Sequence, residues 1–295
     1  LSAPRDHGGG QNQDNLLKFS RAALLNKIVF LSGNVLSSRL LCSMLITSVD
    51  FHTRLKKSSI GDDICKEHCF YVHYGGYSMP EVIINGPAGR LEGRYQPASN
   101  RQAPIALVLH PHPNPDENPA NRGTMNNKVV YVVYHALVQA GYSVLRFNFR
   151  GVGKSQGEYA KGEGELADAA AALDWMQQQN RDAPRTLIAG FSFGAWIGMQ
   201  LLMRRPEIDN FISVAPPANK YDFSFLAPCP SSGLIITGDK DEIVTESSVR
   251  QLAQKISKQK DIRIDYTVVP GVDHFFSGQL DVLVRHVDAY LKKIA

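Results

Sequence analysis

From Val82 onward the chain alternates two patterns: short continuous apolar runs, and longer stretches whose apolar residues recur every three or four positions. The first pattern predicts strands buried on both faces, the second predicts amphipathic helices. Residues 81–95 read as a hairpin, with apolar runs at 82–84 and 91–95 around a turn at 85–89 rich in Asn, Gly and Pro. Runs at 105–109, 143–149, 185–190, 211–214, 234–237 and 264–269 predict six further strands. Helical spacing predicts helices over 126–140, 165–179, 195–205, 246–258 and 279–293. In 126–140 the apolar side is Val129, Val130, Val133 and Leu137; in 165–179 it is Leu166, Ala169, Ala170, Leu173 and Met176. Strand–helix alternation of this length predicts an α/β fold: a mostly parallel, doubly wound sheet with an N-terminal antiparallel hairpin, in one domain over 79–295.

The first 78 residues lack this periodicity. They contain a Gly-Gly-Gly run at 8–10, and 15–49 has no acidic residue. They are expected to be an N-terminal extension outside the domain, poorly ordered or not native, with Met79 as the native start. An acid-poor transit segment is the alternative. The most apolar part of this region is interrupted by Lys27, Gly33, Asn34 and Arg39, so no membrane span is predicted.

Charge separates the two regions. Residues 1–79 carry 9 Lys+Arg against 6 Asp+Glu, and 80–295 carry 23 against 22. A nearly neutral body of mixed sign makes no electrostatic case for nucleic acid. Of four cysteines, Cys229 alone lies in the body, which fits a reducing, cytoplasmic setting. Cys65 and Cys69 with His68 and His73 match no structural zinc spacing, and no metal or other cofactor is predicted. Oligomeric state is not legible, and a homo-oligomer stays open.

The chemistry centres on Gly-Phe-Ser-Phe-Gly at 190–194, between a predicted strand and a predicted helix. Glycines on both sides of Ser192 allow a turn sharp enough to push that side chain out at the strand's end, as in a nucleophile elbow. A serine hydroxyl needs a base, and the base needs an orienting acid. Two loops supply them in order. Strand 234–237 runs into Gly-Asp-Lys-Asp-Glu, offering Asp239, Asp241 and Glu242, and strand 264–269 runs into Pro-Gly-Val-Asp-His, offering His274 as base.

An oxyanion hole needs backbone N–H donors. Phe193, next after the nucleophile, offers one. In His-Pro-His-Pro at 110–113 the two prolines have no N–H and leave His112 as the donor between them. A metal reading of His110 and His112 would need Asp116 or Glu117 and is set aside. Gly153-Lys154-Ser155 suggests a phosphate loop, but Asn148 occupies the position that motif requires to be Gly. Arg150, Gly151, Gly153 and Ser155 instead mark a tight loop near the chemistry.

Gly-Phe-Ser-Phe-Gly, the Arg-Gly-x-Gly-x-Ser loop, the Gly-Asp-Lys-Asp loop and the Asp-His-Phe-Phe end resemble the α/β-hydrolase superfamily. His-Pro-His-Pro, Gly-Thr-Met-Asn-Asn-Lys at 123–128 and Arg-Phe-Asn-Phe-Arg-Gly at 146–151 are similar to a compact bacterial group within it. The resemblance runs from about Met79 to the C-terminus. It implies the α/β-hydrolase fold and, through the Gly-x-x-Asp spacing after the acid strand, selects Asp241. The link 114–122 departs from the shorter, glycine-rich link of that group, which bears on the rim of the site. Fewer than about twenty residues separate the strand ending near Val214 from the one at 234, where lids are inserted in this superfamily, so no large lid domain is expected. Tyr221, Phe223 and Phe225 are then the candidate substrate-binding wall, with core packing the slightly favoured alternative for them.

The expected activity is a metal-independent serine hydrolase acting on a small-molecule ester or thioester through Ser192, Asp241 and His274. A peptidase or an acyltransferase on the same groups is the alternative within this chemistry. A non-catalytic binding or scaffold protein on the same fold is the alternative outside it.

Overall fold

A computed structural model describes residues 80–113, 123–226 and 228–295. The expected N-terminal extension, 1–78, and the expected rim link, 114–122, lie outside the described residues. In chain order the elements are strands β1 (Glu81–Gly86), β2 (Gly89–Gln96) and β3 (Ile105–Leu109), helix α1 (Lys128–Gln139), β4 (Ser143–Phe147), α2 (Glu163–Gln179) and β5 (Thr186–Phe191). They continue with α3 (Phe193–Leu202), β6 (Ile208–Val214), a 3₁₀ turn (Ser224–Leu226), β7 (Ser232–Gly238), α4 (Glu246–Ser257), β8 (Ile264–Val269) and α5 (Leu280–Ile294).

The strands form one sheet in the order β1-β2-β4-β3-β5-β6-β7-β8. β2 is antiparallel to both β1 and β4, and every pair from β4 to β8 is parallel. The apolar runs explain the order. Every residue of β3 and β5 is buried, as central strands covered on both faces must be, whereas edge strand β1 mixes buried and exposed positions and edge strand β8 is half-buried along most of its length. Helix α1 packs on α5, and α2 on α3. Among the described residues, no helix is long and apolar enough to cross a membrane.

Several boundaries depart from expectation by a few residues, three of them with a visible cause or consequence. The hairpin turn is shorter than 85–89, because Asn85 and Gly86 stay in the ladder opposite Arg90 and Gly89 and leave Pro87 and Ala88 as the turn. β4 ends at Phe147, so Asn148 and Phe149 are released to bond with site loops. α3 starts at Phe193, leaving Ser192 alone between strand and helix. Between β6 and β7 the described residues hold the single 3₁₀ turn where a lid would stand.

Parallel register brings the chemistry to one edge. Leu109 pairs with Gly190, so the His110–Pro113 loop leaves the sheet beside the elbow. Gly238 pairs with Val269, so the acid and base loops leave it side by side. This is the carboxyl edge of the strands, where open α/β sheets carry their sites.

Candidate active site

Ser192 sits in the left-handed region, at φ 52° and ψ −120°. A non-glycine residue held there is strained by on the order of 1–3 kcal/mol, so the surroundings must enforce it. They do so by backbone contact. A Cβ on Gly190 would overlap the Gly194 carbonyl, and one on Gly194 would overlap the carbonyls of Leu109 and His110. Ser192 N–H donates to Val214 O at 2.9 Å, and its own carbonyl accepts from Ala195 N at 2.8 Å. Two further non-glycine residues with positive φ, Ala215 and Phe276, stand on the loops after β6 and β8.

His274 and Asp241 meet on the loops after β8 and β7. His274 Nδ1 lies 2.7 Å from Asp241 Oδ2, and both residues are buried. Asp241 Oδ1 accepts backbone N–H groups from Ile243 at 2.9 Å and Val244 at 2.7 Å. The carboxylate therefore acts as an acceptor throughout, and the proton between it and the ring belongs on Nδ1. Nε2 is left with its lone pair. The rival acids are employed elsewhere or exposed: Asp239 Oδ1 takes the Gly271 N–H at 2.6 Å, tying the two loops together, and Glu242 faces solvent.

Ser192 and His274 line one cavity of about 200 Å³ together with His112, Phe193 and Tyr221. A larger cavity, about 410 Å³, is lined by Pro104, Tyr142 and Arg185 and opens at the opposite, amino edge of the strands, away from this chemistry. Phe193 is the first residue of α3, where a backbone N–H has no intrahelical acceptor.

The candidate wall divides. Tyr221 lines the cavity and stacks on Trp196 with ring centroids 4.3 Å apart. Phe223 and Phe225 do not line it: they stack on each other at 5.9 Å, with Phe223 buried in the core and Phe225 half-buried against it. Sequence reasoning passed over Tyr159, whose hydroxyl lies 3.0 Å from His112 Nε2, and Lys220, Ile243 and Phe275, which line the cavity. Burial raises Tyr159 to about 12 and also raises Tyr221, so both phenols are neutral at ordinary pH.

The Arg150 loop braces the fold. Arg150 Nη2 donates to Asp168 Oδ1 at 2.7 Å, while its Nε and backbone N–H donate to Oδ2. Of the two histidines in the metal reading, His110 has both ring nitrogens engaged by backbone groups, with Nδ1 at 2.7 Å from Pro111 O and Nε2 accepting Phe149 N–H at 3.0 Å.

The sequence profile of the X-Pro dipeptidyl-peptidase (S15) family matches residues 93–271. An uncharacterised protein of Rickettsia prowazekii is 54% identical over 217 residues, which cover 72% of this chain and 89% of that one. Among solved structures, a protein of unknown function from Agrobacterium tumefaciens, classed with the α/β hydrolases, is 56% identical. The match covers 72% of this chain and 95% of that one, with a TM-score of 0.69. An α/β serine hydrolase without a lid from Xanthomonas campestris is 30% identical, covering 74% of this chain and 96% of its own, with a TM-score of 0.64.

Proposed function

The chain belongs to the X-Pro dipeptidyl-peptidase (S15) family of α/β serine hydrolases, and on that premise we propose that it cleaves a small-molecule ester or thioester through an acyl-enzyme on Ser192. The observation that carries this reading is a serine held at positive φ in the wall of the same small cavity as His274, whose far nitrogen is bonded to Asp241 at 2.7 Å.

Ser192 Oγ attacks the substrate carbonyl carbon while His274 Nε2 takes the hydroxyl proton. Asp241 holds the ring in the tautomer that accepts this proton and stabilises the imidazolium. The carbonyl oxygen becomes an oxyanion between the N–H groups of Phe193 and His112. Collapse breaks the bond to the alcohol or thiol, which leaves with the proton from His274. A water molecule, deprotonated by the same nitrogen, then attacks the acyl carbon and releases the acid and Ser192.

Ester cleavage is favoured over dipeptide release by what lines the cavity. Its volume of about 200 Å³ lies below the range of about 300–1,000 Å³ for drug-sized ligands and suits a short acyl group. A dipeptide-releasing enzyme must bind the substrate's terminal ammonium, yet the lining among the described residues includes Lys220 and no carboxylate. The family match itself favours the peptidase as the second reading.

A fluorophosphonate probe tests the nucleophile: labelling of the wild type and none of Ser192→Ala is expected, and equal labelling of both would refute it. Turnover of short aryl esters, matched thioesters and Xaa-Pro anilides then separates the two readings. Anilide turnover above ester turnover would favour the peptidase.

A further inference from the structure

His110 is fully buried at the carboxyl end of β3 and takes no part in the steps above. Its surroundings fix its tautomer. Phe149 N–H donates to Nε2 at 3.0 Å, so Nε2 carries the lone pair and the ring proton sits on Nδ1. Nδ1–H then donates to Pro111 O at 2.7 Å. Burial pushes His110 down to about 4, so at neutral pH the ring stays neutral and this arrangement persists.

The Pro111 carbonyl and the His112 N–H are the two ends of one planar peptide unit, so a grip on the carbonyl sets the direction of the N–H. We propose that His110 is a positioning residue for the oxyanion hole: its Nδ1–H holds the Pro111 carbonyl and thereby aims the His112 N–H at the developing oxyanion. This rests on the serine-hydrolase reading above.

Two contacts complete the clamp. A Cβ on Gly123 would overlap the carbonyls of both His112 and Pro111, so this peptide unit is walled by backbone as well as gripped. Gly123 begins a segment fixed to the end of β4, where Met125 N–H donates to Asn148 Oδ1 at 2.8 Å and Arg146 Nη1 donates to Met125 O at 2.6 Å. On the other side, the close approach of Gly194 to the Leu109 and His110 carbonyls sets how far the loop lies from α3, and hence from the Phe193 N–H. Donors placed in advance need no reorganisation during reaction.

The test uses the full chain with three variants, a short aryl ester and a fluorophosphonate. His110→Leu removes the grip. His110→Asn keeps an N–H donor near the Nδ1 position. Gly123→Ala presses on the same peptide unit from its other side. The expected result is that His110→Leu lowers kcat about 10- to 100-fold with KM within about twofold, with the phosphonylation rate falling in step, since a donor aimed at the oxyanion acts on the transition state. His110→Asn should recover most of the loss, and Gly123→Ala should repeat the fall in kcat. A folded His110→Leu with unchanged kcat overturns the proposal, as does His110→Asn performing no better than His110→Leu. Wild-type labelling at Ser192 in that case leaves the hydrolase reading standing, whereas a wild type that is not labelled removes both. Should His110→Leu fail to fold, Gly123→Ala decides: a fall in kcat at constant KM supports the proposal, and unchanged kcat overturns it.

Discussion

Asp241 grips His274 with one carboxylate oxygen, Oδ2 to Nδ1 at 2.7 Å, while its other oxygen is held by the N–H groups of Ile243 and Val244. Orientation of the imidazole is therefore built into the backbone of the loop after β7. The two histidines share one tautomer and differ in what it serves: each ring keeps its proton on Nδ1 because of what its neighbours can offer. His274 meets a carboxylate there and keeps the lone pair on Nε2, whereas His110 meets a carbonyl and its Nε2 accepts the Phe149 N–H.

Asp241→Asn is expected to lower kcat by about 10³- to 10⁴-fold. The asparagine can still accept from Ile243 and Val244, so the loop should keep its shape while the ring loses its preferred tautomer. Steady-state kinetics with a thermal melt checks this. A melt within a few degrees of wild type together with unchanged kcat would remove Asp241 from the proposed machinery.

Tyr221 and Phe223 should separate substrate wall from core. Tyr221→Ala opens the cavity and should raise KM or broaden acyl-chain preference with a modest change in stability. Phe223→Ala empties a buried ring position in the core and should cost about 3–5 kcal/mol. Its surviving folded fraction should show wild-type KM. Chain-length profiles and denaturant unfolding of the two variants measure the contrast.

These two residues also mark the limit of what the sequence reveals. Strands β3 and β5 were legible because burial on both faces writes an unbroken apolar run, and the amphipathic helices because their faces repeat at helical spacing. The loops carrying Ser192, Asp241 and His274 followed from strand ends, which parallel register brings to one edge, whereas the choice of Asp241 over Asp239 and Glu242 came from the family resemblance. Loop side chains carry no such period. Tyr221, Phe223 and Phe225 share one spacing, yet the chain directs the first to the cavity, the second into the core and the third to the core's edge. Tyr159 reaches His112 across 47 positions, and no local pattern anticipates that contact.

Glycines of the elbow should tolerate alanine according to what their Cβ would meet. Gly190→Ala and Gly194→Ala drive a methyl into backbone, which cannot step aside, and should cost at least the 1–3 kcal/mol typical of overpacking. Gly198, in the interior of α3, would place its Cβ 3.4 Å from Ile188 and 3.5 Å from Leu109, which is ordinary contact. Gly198→Ala should therefore gain up to about 1 kcal/mol from helix propensity, or roughly 2–4 °C in Tm. A melt of the three variants reads the order directly, and a stabilised Gly190→Ala would contradict it.

Stability should fall with acidification because two buried histidines resist protonation. Burial lowers His110 to about 4, and burial with the nearby Arg146 guanidinium lowers His135 to about 4, from an ordinary value of 6.5. Between pH 4 and 6.5 the unfolded chain therefore binds protons at these positions that the folded chain does not. The unfolding free energy must rise with pH across that window, by at most about 1.4 kcal/mol per pH unit for each histidine. This contribution is complete above 6.5 and is lost as pH falls toward 4. Denaturant unfolding at intervals from pH 7 to 4.5 should show the slope. His135→Gln removes one titrating group away from the Ser192 cavity and should flatten the slope by about one proton's worth, whatever carboxylates titrate alongside. A variant whose slope matches wild type would mean that His135 is protonated equally in both states.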